Sequence, residues 1–183
     1  MSAAASANER EPLPTVRDAT VADAPAITQI YNEGIASGQA TFDTALCSVA
    51  EIADDLRADM ATHPTVVVLE GERVVGFAWA SAYRQRACYD GIAEFSVYVA
   101  AGARRRGVGR RALSALLERC ERLGFWKLLS RIFTDNQASR ALCAELGFRE
   151  VGVYRRHGRL NGLWKDCAIV EKLLGDAARD AHA

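Results

Sequence analysis

Residues 104–109 read Arg-Arg-Arg-Gly-Val-Gly, and they stand between a strand pattern and a helical one. Ahead of them, Glu94, Ser96 and Tyr98 alternate with Phe95, Val97 and Val99, as in a strand with two distinct faces. Behind them, Leu113, Leu116, Leu117 and Cys120 recur at helical spacing. Arginines at a helix start oppose the helix dipole, so three together call for an anion. Glycines in the turn let the backbone approach a ligand, and the free N–H groups of a first helical turn attract negative charge. The unit is therefore strand, phosphate-holding turn, helix. Two common phosphate loops are excluded. No Gly-x-x-x-x-Gly-Lys-Ser/Thr string occurs, and Gly107-Val108-Gly109 is followed by Arg110, Arg111 and Ala112, without the third glycine of a dinucleotide fingerprint.

The chain has 183 residues, enough for one domain with a full core. Its formal net charge is zero, which argues against a general nucleic-acid binder. The arginine cluster is thus read as local ligand contacts. Cys47, Cys88, Cys120, Cys143 and Cys167 are odd in number and widely spaced, so they offer neither a disulfide framework nor a metal pair. His63, His157 and His182 are far apart, and no metal is expected. A reducing cytoplasm fits these thiols. Residues 1–14 are polar and lack the apolar core of a signal peptide; no run of about 18 apolar residues suggests a membrane span. The expected division is a disordered segment over 1–14, a single domain over 15–174 and a flexible tail over 175–183.

The spacing predicts a strand over 15–18, then a helix with Asp23 as its cap, Pro25 in its first turn and Ile27, Ile30, Tyr31 and Ile35 on its apolar face. Residues 40–43 form a loop. Ser48 and Glu51 make a capping box for a second helix bearing Ile52, Leu56 and Met60. Strands follow over 66–70 and 73–82 around a hairpin turn, then over 92–99. Gly124 ends the helix after the arginine turn. A strand over 126–133, a helix over 136–146 stopped by Gly147, and strands over 150–154 and 164–173 close the chain. The order is β-α-α-β-β-β-α-β-α-β-β.

Four strings in that order carry a resemblance: Val97-Tyr98-Val99, the turn at 104–109, Asn136 with Ser139, and Leu146-Gly147-Phe148 leading into 149–152. Together they resemble the GCN5-related N-acetyltransferase (GNAT) superfamily over residues 16–173. The resemblance implies an α/β fold, the GNAT acyl-CoA N-acyltransferase fold, with a mixed, mostly antiparallel sheet and helices on both faces. It implies acetyl-CoA as co-substrate. Backbone groups of Val97, Tyr98 and Val99 would hold the pantetheine arm. Arg104, Arg105, Arg106, Gly107, Val108, Gly109 and Arg110 would hold the pyrophosphate, with Asn136 and Ser139 alongside. Residues 84–99, together with Thr41-Phe42 and 162–166, are similar to phosphinothricin N-acetyltransferases, and enzymes that acetylate arsinothricin share that outline.

The implied reaction moves an acetyl group to a primary amine. That amine is mostly an ammonium at neutral pH, so a base must take a proton. Glu94 is the candidate, and its alternative role is a scaffold ion pair with a nearby arginine. Arg84 and Arg86, two residues apart, are candidates for the substrate's anionic groups, with Tyr89 and Ser96 beside them; the alternative is a pair of solvated arginines. His157 and Arg155 are further candidates for that pocket. Phe42 either walls the pocket or belongs to the core. Cys143 stands where many members of the superfamily carry tyrosine, and it reads as a small buried apolar residue. The expected substrate is a small anionic glutamate analogue. Methionine sulfone or sulfoximine is the alternative, and a coenzyme A-binding regulatory module without chemistry is the reading from another class. No nucleic-acid or membrane partner is expected. Oligomeric state does not follow from the residues; relatives by this resemblance are often dimers, and Trp79, Trp126 and Trp164 are open to an interface or a core.

Overall fold

The computed structural model describes residues 14–59 and 62–180. The expected disorder before residue 14, and Met60 on the second helix, lie outside the described residues. One sheet of seven strands takes in β1 (Thr15–Asp18), β2 (Thr65–Glu70), β3 (Arg73–Ala82), β4 (Ile92–Val99), β5 (Lys127–Phe133), β6 (Arg149–Leu160) and β7 (Leu163–Leu173), in the spatial order β1-β2-β3-β4-β5-β7-β6. Every neighbouring pair is antiparallel except β4 and β5. The helices are α1 (Ala24–Ser37), α2 (Val49–Asp59), α3 (Val108–Arg122), α4 (Gln137–Glu145) and α5 (Gly175–Asp180).

Strand alternation decides which helix lies on which face. Tyr98 points to α1, where its ring lies 4.9 Å from Tyr31. Val97 and Val99 point the other way, beside Gly109 at the start of α3. The helical stripe of α3 buries Val108, Leu113, Leu116 and Cys120 against that second face. With Phe77, Val66, Val67 and Val68 also out of solvent, these side chains form the main core, each larger one stabilising by about 1.5–3 kcal/mol.

The predicted order of elements is found, with differences at the edges. Ser48 and Glu51 form the expected capping box: the Ser48 N–H donates to Glu51 Oε2 at 2.7 Å, and the Glu51 N–H to Ser48 Oγ at 3.2 Å. Asp23 makes no side-chain cap to α1. Its carboxylate instead takes both Arg17 guanidinium arms at 2.7 Å and the Thr20 N–H at 2.8 Å. The strand expected over 150–154 runs over Arg149–Leu160, because a bulge at 155–157 shifts the register and lets pairing resume at Gly158. The tail expected to be loose from 175 begins as α5, tied down where the Gly175 N–H donates to Glu121 Oε1 at 3.1 Å.

Candidate active site

The two halves of the sheet part company at β4 and β5. These strands pair at Ile92–Lys127, Ala93–Leu128 and Glu94–Leu129, and no further. Below that point a cleft opens, lined by Phe95, Ser96, Val97 and Tyr98 from one side and Ser130, Arg131, Ile132 and Phe133 from the other. Asn136, Ser139, Leu142 and Cys143 close its end. The backbone of β4 is half-used there. The Ala100 N–H donates to Val75 O at 3.0 Å, and in the register Tyr98 faces Phe77 and Ser96 faces Trp79. Hydrogen-bonded positions alternate in an antiparallel pair, so the even-numbered residues bond to β3. The N–H groups of Val97 and Val99 therefore point into the gap, ready to pair with an extended ligand as one more strand.

The arginine turn adjoins this edge. Arg105 has φ 59° and Gly107 has φ 79°, both left-handed. Gly107 adopts that angle freely, whereas Arg105 holds it at a cost. Left-handed residues in a turn curl successive N–H groups into a concavity suited to an anion, and α3 starts there with its positive dipole end. Side chains of the cluster diverge. Arg104 Nε donates to Val99 O at 3.3 Å, Arg106 pairs with Glu70 at 3.1 Å and Arg110 with Glu145 at 3.1 Å. The fit to a pyrophosphate thus rests on backbone, with the guanidinium charge as surrounding field.

On the α1 face, Glu94, Ser96 and Tyr98 share one side of β4, and Leu129, Arg131 and Phe133 share the same side of β5. Arg131 Nη2 donates to Glu94 Oε2 at 2.5 Å, and the two side chains are 44% and 23% exposed. Beside them runs a hydroxyl network. The Tyr31 hydroxyl donates to Asp43 Oδ2, and the Thr41 hydroxyl donates to the same oxygen at 2.9 Å. Burial, more than the Asp43 bond, holds the Tyr31 phenol well above the usual tyrosine range. Burial also pushes Tyr98 up to about 12. Both phenols stay neutral donors at physiological pH. Phe42 packs against the β5-β7-β6 half, its ring 4.7 Å from Phe133 and 6.3 Å from His157, within a small cluster with Leu160 and Cys167.

The profile of the acetyltransferase (GNAT) family matches residues 29–148. The chain belongs to that family. Among solved structures, this acetyltransferase is similar to a GNAT superfamily phosphinothricin acetyltransferase from Sinorhizobium meliloti in complex with AcCoA, at 37% identity over 91% of both chains and a TM-score of 0.86. A phosphinothricin N-acetyltransferase of Alcaligenes faecalis is 36% identical over 87% of this chain and 82% of the relative. An L-methionine sulfoximine/L-methionine sulfone acetyltransferase of Pseudomonas aeruginosa is 32% identical over 91% of this chain and 98% of the relative.

Of the residues singled out in sequence, the acetyltransferase cleft brings together Ser96, Val97, Tyr98, Asn136 and Ser139, with Glu94 joined to it through Arg131. Asn136 does structural duty as well: its Oδ1 accepts from the Ser139 N–H at 3.1 Å as the α4 cap, and its Nδ2 donates to Gln39 O at 3.0 Å. Arg84, Arg86 and Tyr89 are not in the lining. They sit on the loop between β3 and β4, where Arg84 lies 5.3 Å over the Tyr83 ring and Tyr89 packs edge-on against the same ring at 5.6 Å. His157 is exposed on the β6 bulge, 5.0 Å from Tyr154. Cys143 lines the cleft, yet it is buried and burial pushes its thiol up to about 12. Sequence reasoning missed Arg131 and the Tyr31–Asp43 bond. The alternation in 127–133, which sets Leu129, Arg131 and Phe133 on one face, was the available signal for the first.

Proposed function

We propose that this chain transfers the acetyl group of acetyl-CoA to the α-amino group of a small anionic glutamate analogue, phosphinothricin or arsinothricin, and so confers resistance by detoxification. The observation that carries this reading is Glu94, a part-exposed carboxylate at the point where β4 leaves β5, at one end of a free strand edge whose other end leads to the anion-shaped turn. The bound thioester supplies an acyl carbon already activated for attack. Val97 and Val99 orient the carrier's arm through their N–H groups, and the Arg105–Gly107 turn receives its diphosphate. Glu94 takes a proton from the ammonium, giving the nitrogen a lone pair. The nitrogen then bonds to the acyl carbon as the carbon–sulfur bond breaks, and proximity supplies much of the acceleration. No general acid is assigned, since Cys143 is a neutral, buried thiol.

Phe42, Ser96 and His157 are the walls proposed for the amino acid; Arg84, Arg86 and Tyr89, on the β3–β4 loop outside the cleft lining, are the side chains proposed to reach its anionic groups. Methionine sulfoximine and sulfone form the second reading, favoured by the Pseudomonas aeruginosa relative. We place the protein in the cytoplasm, where its free thiols suit a reducing setting. We also propose a second copy as partner: Val151, Val153, Tyr154, Leu163 and Trp164 are all exposed on the β6–β7 hairpin, and such patches mark protein contacts. A monomer by light scattering would overturn the dimer. The function itself is tested by a panel assay of thiol release from acetyl-CoA. Its acceptors are phosphinothricin, arsinothricin, methionine sulfoximine and glutamate. Preference for plain glutamate removes the detoxification reading.

A further inference from the structure

We propose that the Glu94–Arg131 ion pair is the receptor for the charges of an α-amino acid, whose carboxylate replaces Glu94 on Arg131 while its ammonium replaces Arg131 on Glu94. This rests on Glu94 being the base of the proposed reaction.

The placement argues for exchange. Both side chains lie on the α1 face, Glu94 at the last rung of β4–β5 pairing and Arg131 two residues beyond it on β5, where the cleft begins. Arg131 is 44% exposed and Glu94 23%, so neither is locked in a core. An ion pair of this kind contributes little to folding and is readily traded for another. Among the described residues lining the cleft, Arg131 is the one that carries a full positive charge. Leu129 and Phe133 flank it in sequence on its own strand face, so the neighbouring positions on that face are apolar. The pair is joined through Nη2 and Oε2, and a guanidinium has five N–H donors, which suits it to receive an incoming carboxylate through two parallel bonds.

The chemistry follows from charge bookkeeping. An α-amino acid carries its ammonium and carboxylate two bonds apart, the mirror of the Arg131–Glu94 pair. On insertion each charge finds an opposite partner and none is left bare. A plain amine brings only the ammonium. It takes Glu94 from Arg131 and strands the guanidinium, which is a penalty rather than a missing bonus. With the acid bound, Glu94 Oε2 faces the ammonium and accepts one proton. The nitrogen lone pair forms the bond to the acyl carbon, and the electron pair of the carbon–sulfur bond leaves on sulfur. The second nitrogen proton neutralises that thiolate, and the proton on Glu94 passes to solvent. Arg131 thereby selects the substrate class and frees the base in one step.

The test compares phosphinothricin with its α-carboxamide, in which a neutral amide replaces the carboxylate. Wild type, Arg131→Gln and Arg131→Lys are assayed for thiol release, and amino-acid binding is measured by calorimetry with coenzyme A present. Wild type is expected to prefer the acid about tenfold or more. Arg131→Gln is expected to lose that preference to within about threefold, mostly through KM and through calorimetric affinity, with Arg131→Lys between. A preference that survives in Arg131→Gln overturns the proposal. So does an equal loss of kcat on both acceptors, which would make Arg131 merely structural, and so does a wild type with no preference. Glu94→Gln is run in parallel: full turnover in that variant sinks the base assignment, while the acid-over-amide ratio of Arg131→Gln is read independently. If neither acceptor turns over, the calorimetric ratio decides.

Discussion

The Phe42 ring fills the space in front of Gly158: a Cβ built on that glycine would lie 2.6 Å from the Phe42 Cε1. Residue 158 is where β6 resumes pairing after its bulge, and Phe42 belongs to the loop between α1 and α2. One missing methyl group therefore lets a loop from one half of the sheet seat against the other. Gly158→Ala should expel the ring and cost about 1–3 kcal/mol, by overpacking. The measurement is a denaturant midpoint together with KM for the amino acid. A variant with both unchanged would mean the loop is not braced there.

Glu94→Gln keeps the side chain's shape and removes its basicity. Turnover should fall about 10²- to 10⁴-fold, the usual worth of a positioned base. Affinity for acetyl-CoA should not change, because the carrier is held by the β4 edge and the turn. Stopped-flow thiol release and equilibrium titration separate the two.

Gly107, at φ 79°, can be probed with alanine. Alanine at such an angle is strained, and the strain falls on the turn that meets the diphosphate. The expected result is a KM for acetyl-CoA raised about tenfold with kcat nearly kept, since about 1.4 kcal/mol corresponds to that factor. Loss of kcat alone would point to chemistry at a different place.

Asp23 gives a pH signature. Its carboxyl is held below its ordinary value of 3.8, first by the Arg17 hydrogen bonds, against an opposing effect of burial. A depressed folded-state value means the stabilisation is present above 3.8 and is lost as pH falls through the lower folded value. Asp23→Asn should therefore lower stability at pH 7 by about 1–3 kcal/mol and flatten the acid limb of the stability curve below about pH 4. Parallel acid limbs in variant and wild type would refute this.

Cysteine chemistry should divide by burial. Cys88 is exposed, while Cys120, Cys143 and Cys167 are buried, and burial pushes the Cys143 thiol up to about 12. A maleimide should label Cys88 first in the folded protein, as read by peptide mass. Cys143→Ala should leave the alkaline limb of the rate profile in place. A limb that moves would reinstate that thiol as an acid.

The element order was legible because periodicity is local: Leu113, Leu116 and Cys120 announce α3, and Ser48 with Glu51 announces the start of α2. The turn at 104–109 was legible for the same reason, being contiguous. Arg131 was not, because its meaning depends on which strand lies beside β5 and in what register, and strands 92–99 and 127–133 are separated by a whole helix. Asp23 was read as a cap because its neighbours fit the pattern; Arg17, on the preceding strand, offered it a charged bond instead. Phe42 had two readings in sequence; its ring packs with Phe133 and Leu160 in a small apolar cluster, and a place in the substrate pocket stays a proposal.

Three rungs of pairing are all that β4 and β5 share. Whatever occupies the wedge beyond them acts as a further seam between two halves that share few strand hydrogen bonds, beside the core packing that already joins them. Cohesion and occupancy then become a single quantity, and the melting temperature becomes a gauge of saturation. At a hundred times its dissociation constant a tenant adds about 2.7 kcal/mol. Beyond that global gain, the Val97 and Val99 amides, which face the void, should show added protection from hydrogen exchange.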